Sequence, residues 1–362
     1  MKTRAYNFGA GPSMLPSSIL EEAKRELLDW QGLQMSVMEI GHRSLPFQAL
    51  MEELESKFRD LCGIPDDYDV LFLGGAARTQ FAMIPMNLLA DGEQAGYLIS
   101  GTWSLLAYQE ACKLKKAYCI ASSESDGFLR VPTSFDNDFP KNTTYVYYTP
   151  NETINGVRFN QAPDVGSTPL VADMTSCLLC EPFKVKDYAL IFAGAQKNIS
   201  IAGLTIVIVR KSMVESKKGL VIPTMMDYKT HAEHRSLYAT PPTFNCYLAL
   251  KMMDWVKAHG GVEELFKINQ LKAKILYDYI DASSFYQSRV EKSSRSIENV
   301  CFSIIREELE PAFIEQAAQE GLLALKGHKA VGGLRASLYN AMPLEGVESL
   351  IAFMQSFLED NN

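Results

Sequence analysis

Lys197 is the residue around which the chemistry of this chain turns. It stands in the small-residue turn Ala193-Gly-Ala-Gln-Lys-Asn198, between the apolar runs Tyr188-Ala-Leu-Ile-Phe192 and Leu204-Thr-Ile-Val-Ile-Val209. Runs of this kind read as buried strands. A strongly hydrated ammonium is costly to bury unless it is paired or neutralised. Either the side chain snorkels from a strand end into water, or something uses its nitrogen. Asp173 poses the same question, because it closes a second apolar run, Leu170-Val-Ala-Asp. Its ordinary employment there would be to cap the segment that follows.

A third feature lies at the end of Val70-Leu-Phe-Leu73, where Gly74-Gly-Ala-Ala-Arg-Thr-Gln80 turns into an apolar helix expected over Phe81 to Leu89. Strand, small-residue turn and helix together point free backbone N–H groups and the positive dipole end at an anion such as a phosphate. A tight turn without a ligand uses the same residues. Arg78 in the first turn opposes the dipole, which an anion facing it would explain. Trp103 follows Ser100-Gly-Thr102, and Thr153 lies in Pro150-Asn-Glu-Thr-Ile-Asn-Gly156, both at the ends of apolar runs. Open α/β sheets bind ligands at the carboxyl ends of their strands. A desolvated lysine most often serves by bonding a carbonyl, and pyridoxal phosphate is the common carbonyl cofactor. A carboxylate can keep its pyridine nitrogen protonated, and a tryptophan can stack on its ring.

The elements that must position these residues follow from the alternation of short apolar runs with helical segments. Runs at Gly96–Ile99, Ala117–Ile120, Thr144–Tyr148 and Pro169–Ala172 join those named above. They predict an α/β fold with a mostly parallel central sheet and crossover helices. Helices are expected from Ser17 to Trp30, Phe47 to Leu61, Cys246 to His259 and Val262 to Ile280. Gly260-Gly261 marks a hinge or boundary, after which a strand at Val300–Ile305 and a helix at Pro311–Glu320 indicate a smaller α+β part. The expected division is residues 16–259 as a large domain, with 1–15 and 260–362 forming the small one. Asn7-Phe-Gly-Ala-Gly-Pro12 is an arm able to fold over a site, and Tyr238-Ala-Thr-Pro-Pro242 is an exposed extended segment.

Composition removes several alternatives. The chain has 362 residues, 47% apolar and 22% charged, with a net charge of −8. An acidic balance argues against nucleic acid or an anionic membrane as partner. Seven scattered cysteines form no disulfide framework, which fits a reducing cytoplasm. Cys177-Leu-Leu-Cys180 and His231-Ala-Glu-His234 have metal-like spacing without the partners that would complete a site, so no metal is expected. The N-terminal Met-Lys-Thr-Arg-Ala-Tyr-Asn-Phe lacks a signal-peptide core, and no run approaches a bilayer span.

Over essentially its whole length the chain resembles the phosphoserine aminotransferase family of fold-type-I pyridoxal-phosphate enzymes. The stretches that carry the resemblance are Ser36-Val-Met-Glu-Ile-Gly-His-Arg43, Pro150–Gly156, Ala193–Asn198, Thr240-Pro-Pro-Thr-Phe244 and Gly333-Leu-Arg-Ala-Ser-Leu-Tyr-Asn-Ala-Met-Pro343. The resemblance implies that Lys197 is the Schiff-base lysine, Asp173 the pyridine-nitrogen partner and Trp103 the stacking residue. It implies further cofactor contacts from Ala77, Arg78, Thr153, Gln196, Ala239 and Thr240, with Thr240 reaching in from the second subunit of a homodimer. Arg335 would hold the substrate α-carboxylate. His42, Arg43, Arg78 and His328, with Lys329 beside them, would receive the substrate's phosphate or glutamate's side-chain carboxylate. The implied reaction passes the amino group of glutamate to 3-phosphohydroxypyruvate in serine biosynthesis, and 4-phosphohydroxythreonine of pyridoxine biosynthesis is a second substrate it allows. Five positions depart from the family pattern. Ala10 replaces a common serine, Ala239 an asparagine, Ala77 and Thr79 the usual glycines, and Lys329 an arginine, which exchanges a planar fork for a point charge. An alanine or serine aminotransferase using pyruvate or glyoxylate would need no distal basic cluster. A cysteine desulfurase would need a loop cysteine, where Cys301 is expected in a strand, and a catalytically idle anion binder would form no bond at Lys197.

Overall fold

Residues 4–215 and 219–361 are described by a computed structural model. The chain runs through a two-residue strand β1 (Tyr6–Asn7), helices α1 (Ser17–Glu26) and α2 (Leu45–Cys62), strand β2 (Tyr68–Gly74), a helical turn at Ala77–Thr79 and helix α3 (Gln80–Leu88). It continues as β3 (Gln94–Ile99), α4 (Thr102–Leu114), β4 (Lys116–Ser122), β5 (Thr143–Tyr148), a small hairpin of β6 (Asn151–Glu152) and β7 (Val157–Arg158), β8 (Leu170–Asp173), β9 (Leu190–Gly194) and β10 (Leu204–Arg210). Then come α5 (Lys211–Glu215), α6 (Tyr228–Glu233), α7 (Thr243–Ala258) and α8 (Gly261–Ala282). The last part holds β11 (Tyr286–Gln287), β12 (Asn299–Ile304), α9 (Glu310–Gln319), β13 (Leu322–Leu323), β14 (Leu334–Ser337) and α10 (Leu344–Asn361).

Seven strands form the central sheet in the order β2-β10-β9-β8-β5-β3-β4. Neighbours from β9 to β4 pair in parallel, and β10 is antiparallel to both β2 and β9. Both faces are covered, which is why these strands are continuously apolar. Alternate residues serve opposite layers: Phe72, Ile191, Ile206 and Ile208 pack on one side, while Leu71, Phe192, Val207 and Val209 pack on the other. Because β2, β3, β5, β8 and β9 all run the same way, their carboxyl ends share one edge. That edge carries the turn after β2, Trp103, Thr153, Asp173 and Lys197.

A separate apolar cluster gathers Phe8 with residues of α8, β12, α9, β14 and α10. Helix α8 belongs to both parts, giving Val262 and Leu265 to the sheet layer and Ala273, Leu276, Tyr277 and Ile280 to the second cluster. The arm joins that cluster through Phe8, while β1 pairs with β13. Helix α1 stops at Glu26, short of Trp30, which is buried in a turn closed by its N–H to the Met35 carbonyl. No helix among the described residues is long and apolar enough to cross a membrane.

Candidate active site

The carboxyl ends of β2, β3, β5, β8 and β9 surround a cavity of about 200 Å³ lined by Ala77, Arg78, Trp103, Thr153, Asp173, Gln196 and Lys197, among others. Seven residues singled out from the sequence therefore meet, although up to 120 positions separate them along the chain. Gly194 makes room for this convergence. A Cβ there would stand 2.5 Å from Gln196 Oε1 and 3.1 Å from the Ala77 Cβ.

Lys197 does not snorkel to bulk water. Its amine donates to the carbonyl of Ala10 and, at 3.2 Å, to the Tyr339 hydroxyl. Loss of hydration, reinforced by the Arg335 guanidinium and opposed by Asp173, brings the amine down to about 7. The same burial lifts the Asp173 carboxyl to about 6, against the hydrogen bonds from Thr175 and the attraction of Lys197. Asp173 caps no helix; its Oδ1 accepts from the Thr175 amide at 3.0 Å. A near-neutral amine and a carboxyl held close to its ionisation point face one small cavity, which is how acid and base roles are tuned.

Trp103 is fixed at both ends. Its indole N–H donates to Thr153 Oγ1 at 3.0 Å, and the Arg78 guanidinium lies 5.1 Å from the ring centroid. Its backbone is held by Glu152, whose two carboxyl oxygens accept from the Trp103 and Ser104 amides at 2.9 and 2.8 Å. Glu152 thereby caps α4 and, being buried, is itself pushed up to about 7. Arg335 donates to the Thr153 carbonyl at 3.0 Å, and its Nε is buried without a partner. Beside it, His328 is held below its usual value by burial and by the Arg335 and Lys329 charges.

Seven predicted site residues do not line this cavity, and four of them gather elsewhere. His42 Nδ1 lies 3.1 Å from Thr240 Oγ1, and Arg43 donates to the Tyr238 carbonyl at 3.3 Å. With Ala239 they form a separate group, Arg43 and Thr240 being exposed. Ala239 and Thr240 line a different cavity of about 250 Å³ that shares only Ala76 with the first. His328, Lys329 and Arg335 stand outside the cavity wall as well.

Sequence reasoning passed over Thr149, Asn151, Thr175 and Ser176, which also line the cavity, and Glu152 behind Trp103. Glu152 carried the signal that exposed Asp173, a lone carboxylate at the end of an apolar run. Tyr339 and the Ala10 carbonyl carried none, since a main-chain acceptor has no residue type. His231 and His234 bond to backbone carbonyls, and no group of potential ligands for a metal occurs among the described residues.

The donor set fits pyridoxal phosphate. The cavity offers an amine drawn down to about 7, a carboxyl raised to about 6, an indole face, and the buried, unpartnered Thr149 hydroxyl and Asn151 amide oxygen. At one end lie Ala77 and Arg78, whose amides open a helical turn and so lack partners within it.

Residues 5–350 match the family model for aminotransferase class-V. A phosphoserine aminotransferase of Legionella pneumophila (strain Lens) is 57% identical over 361 residues, covering 100% of both chains. Among solved structures, the phosphoserine aminotransferase from Bacillus circulans subsp. alkalophilus superposes with a TM-score of 0.96 at 42% identity, covering 99% of each chain. A phosphoserine aminotransferase from Trichomonas vaginalis with bound pyridoxal phosphate superposes at 0.92 with 35% identity, covering 97% of this chain and 100% of that one.

Proposed function

This chain belongs to the phosphoserine aminotransferases of aminotransferase class V and is a pyridoxal-phosphate-dependent transaminase of fold type I; from that premise we propose that it moves the amino group of L-glutamate to 3-phosphohydroxypyruvate, giving O-phospho-L-serine and 2-oxoglutarate. The observation that carries the reading is the Lys197 amine, drawn down to about 7 and facing Asp173 across a cavity of about 200 Å³. 4-Phosphohydroxythreonine is a second substrate of the same chemistry. The proposed setting is the cytoplasm, in keeping with seven unpaired cysteines.

When bound, pyridoxal phosphate supplies an aldehyde that captures amines and a ring that withdraws electrons from the substrate α-carbon. Lys197 is the amine that would hold it, Asp173 would face the pyridine nitrogen, Trp103 would cover the ring, and the Ala77–Arg78 turn would take the phosphate with Gln196 and Thr153 at its flanks. When not bonded to the cofactor, the Lys197 amine would accept the substrate's α-proton at Nζ and hold it for return. A lysine near pH 7 is suited to both directions. Arg335, with its unpartnered Nε, would bind the substrate α-carboxylate. Residues 16–259 would hold the cofactor, while 1–15 and 260–362 carry the arm and Arg335.

The distal anion pocket is proposed to form in a homodimer. His42, Arg43, Ala239 and Thr240 lie away from the Lys197 cavity of their own chain, so a second copy would have to bring them to it, Ala239 and Thr240 to the cofactor phosphate and His42 and Arg43 next to Arg78, His328 and Lys329. Each charge-assisted hydrogen bond to the distal anion is worth about 1.5–3 kcal/mol. With glutamate as donor, kcat/KM for 3-phosphohydroxypyruvate is expected to exceed that for unphosphorylated hydroxypyruvate by about 100-fold or more. Equal values would contradict the proposed substrate and favour a small keto acid such as pyruvate or glyoxylate.

A further inference from the structure

The proton-shuttling role leaves unexplained where the Lys197 amine rests when it is not bonded to cofactor. A lysine stem has several rotatable bonds, and an unanchored amine would spend most of its time out of reach of the α-carbon. Here the amine is anchored. Its two acceptors are the Ala10 carbonyl and the Tyr339 hydroxyl, the latter at 3.2 Å. The Tyr339 hydroxyl in turn donates to the Ala10 carbonyl at 2.9 Å and accepts from Asn299 Nδ2 at 3.1 Å. Its single proton and both lone pairs are thus assigned. Burial holds this phenol far above its usual range, so it stays a neutral hydroxyl, and with its proton given to the Ala10 carbonyl it accepts from the lysine.

The backbone on either side of that hydroxyl is built to hold it. Lys272 on α8 is wholly buried and donates to the carbonyls of Tyr339 and Met342, both at 2.9 Å. Asn340, the next residue, donates its amide to Asn198 Oδ1 at 3.2 Å and its side chain to the Leu179 carbonyl at 2.8 Å. Facing it, the arm comes close enough to touch the lysine only because residue 11 is glycine. A Cβ there would lie 2.8 Å from Lys197 Nζ, at a φ of +143° that side chains rarely adopt. The contact made by Ala10 is a main-chain one, indifferent to the loss of a serine hydroxyl at that position.

We propose that the Tyr339 hydroxyl and the Ala10 carbonyl form a docking station that receives the Lys197 amine whenever it is free of the cofactor, Tyr339 being a catalytic residue and Lys272 a positioning residue that acts through it. The inference rests on Lys197 being the lysine that captures the cofactor.

Tyr339→Phe removes one oxygen and leaves Asn299 Nδ2 its bond to Ser337 Oγ at 3.0 Å. The test follows the rate at which full-length, cofactor-free protein captures pyridoxal phosphate as a function of pH. In the parent protein capture rises with pH around 7, as Lys197 loses its proton. Withdrawing an acceptor from the charged amine disfavours that form, so the midpoint in Tyr339→Phe is expected to fall by about one unit. In the loaded protein the glutamate half-reaction is expected to slow about tenfold with glutamate affinity unchanged. An unchanged or higher midpoint overturns the station. Lys272→Met is expected to shift the midpoint the same way, and Tyr339→Phe/Lys272→Met to shift it no further than Tyr339→Phe alone; additive shifts would remove Lys272 from the proposal. Lys197→Ala is expected to capture at no pH. Capture by that variant at the parent rate would instead sink the lysine assignment itself.

Discussion

The lysine cavity and the His42–Thr240 group are two halves of a proposed site, built on opposite principles. The first is lined by residues of one chain, delivered by five parallel strand ends to one edge of a buried sheet. The second sits on loops, with Arg43 and Thr240 exposed and bonded to each other's neighbours and not to the cavity. The chemistry of the cofactor demands fixed geometry and loss of water, which a sheet edge supplies. Anion recognition needs charge that can be lent by another molecule. On a chain of net charge −8, collecting cations from two copies is one way to concentrate them where a phosphate must bind.

The contrast can be broken or sharpened by substitution on either side. Lys197→Ala should abolish transamination by about 10⁴-fold or more, since it removes both the cofactor anchor and the base; steady-state rates with both substrates would show it. Asp173→Asn should lower kcat/KM by about 10²- to 10³-fold, the scale of a lost electrostatic contact at a reacting centre. The same change should stabilise the cofactor-free protein. A carboxyl raised from 3.8 to about 6 by folding contributes stability that is present below pH 3.8 and lost as pH rises through 6. The Asn variant should therefore exceed its parent by about 1–3 kcal/mol at pH 8 and lose that margin by pH 3.5, as read by urea unfolding.

On the other side, Arg43→Ala should cost about 10- to 150-fold in kcat/KM for the phosphorylated keto acid and spare the unphosphorylated one. If the two halves come from different copies, refolding an equal mixture of Lys197→Ala and Arg43→Ala chains should restore about a quarter of parental activity, because half of the dimers would carry one intact site. No recovery would place both halves in the same chain. The smallest effect is expected from Glu152→Gln, which keeps one acceptor for the α4 amides but points an amide donor at the other. Cofactor affinity should fall about 3- to 10-fold, with a change in Trp103 fluorescence, in line with a damaged helix cap.

How far the sequence reveals this arrangement depends on what kind of atom does the work. Lys197, Asp173 and Arg78 were legible because a charge at the end of an apolar run is expensive and asks for a reason. The sheet was legible from its continuous runs, and α10 could have been, since Val347, Leu350, Met354 and Phe357 repeat at helical spacing and pack into the second cluster. Strand order was not: nothing local says that β10 runs against its neighbours. The Tyr339 hydroxyl, the Ala10 carbonyl and the Lys272 clamp were hidden for a different reason, as they depend on main-chain atoms brought together across 329 positions of chain. The location of His42 and Thr240 away from the lysine is a three-dimensional fact as well, since both sit in loops whose sequence shows only that they are extended and polar.

The account depends first on the Lys197 amine being the group that captures the cofactor. Borohydride reduction of the protein loaded with pyridoxal phosphate, followed by digestion and mass analysis, should find the cofactor's mass on the peptide that contains Lys197 and on no other. Label on a different lysine, or on none, would contradict it.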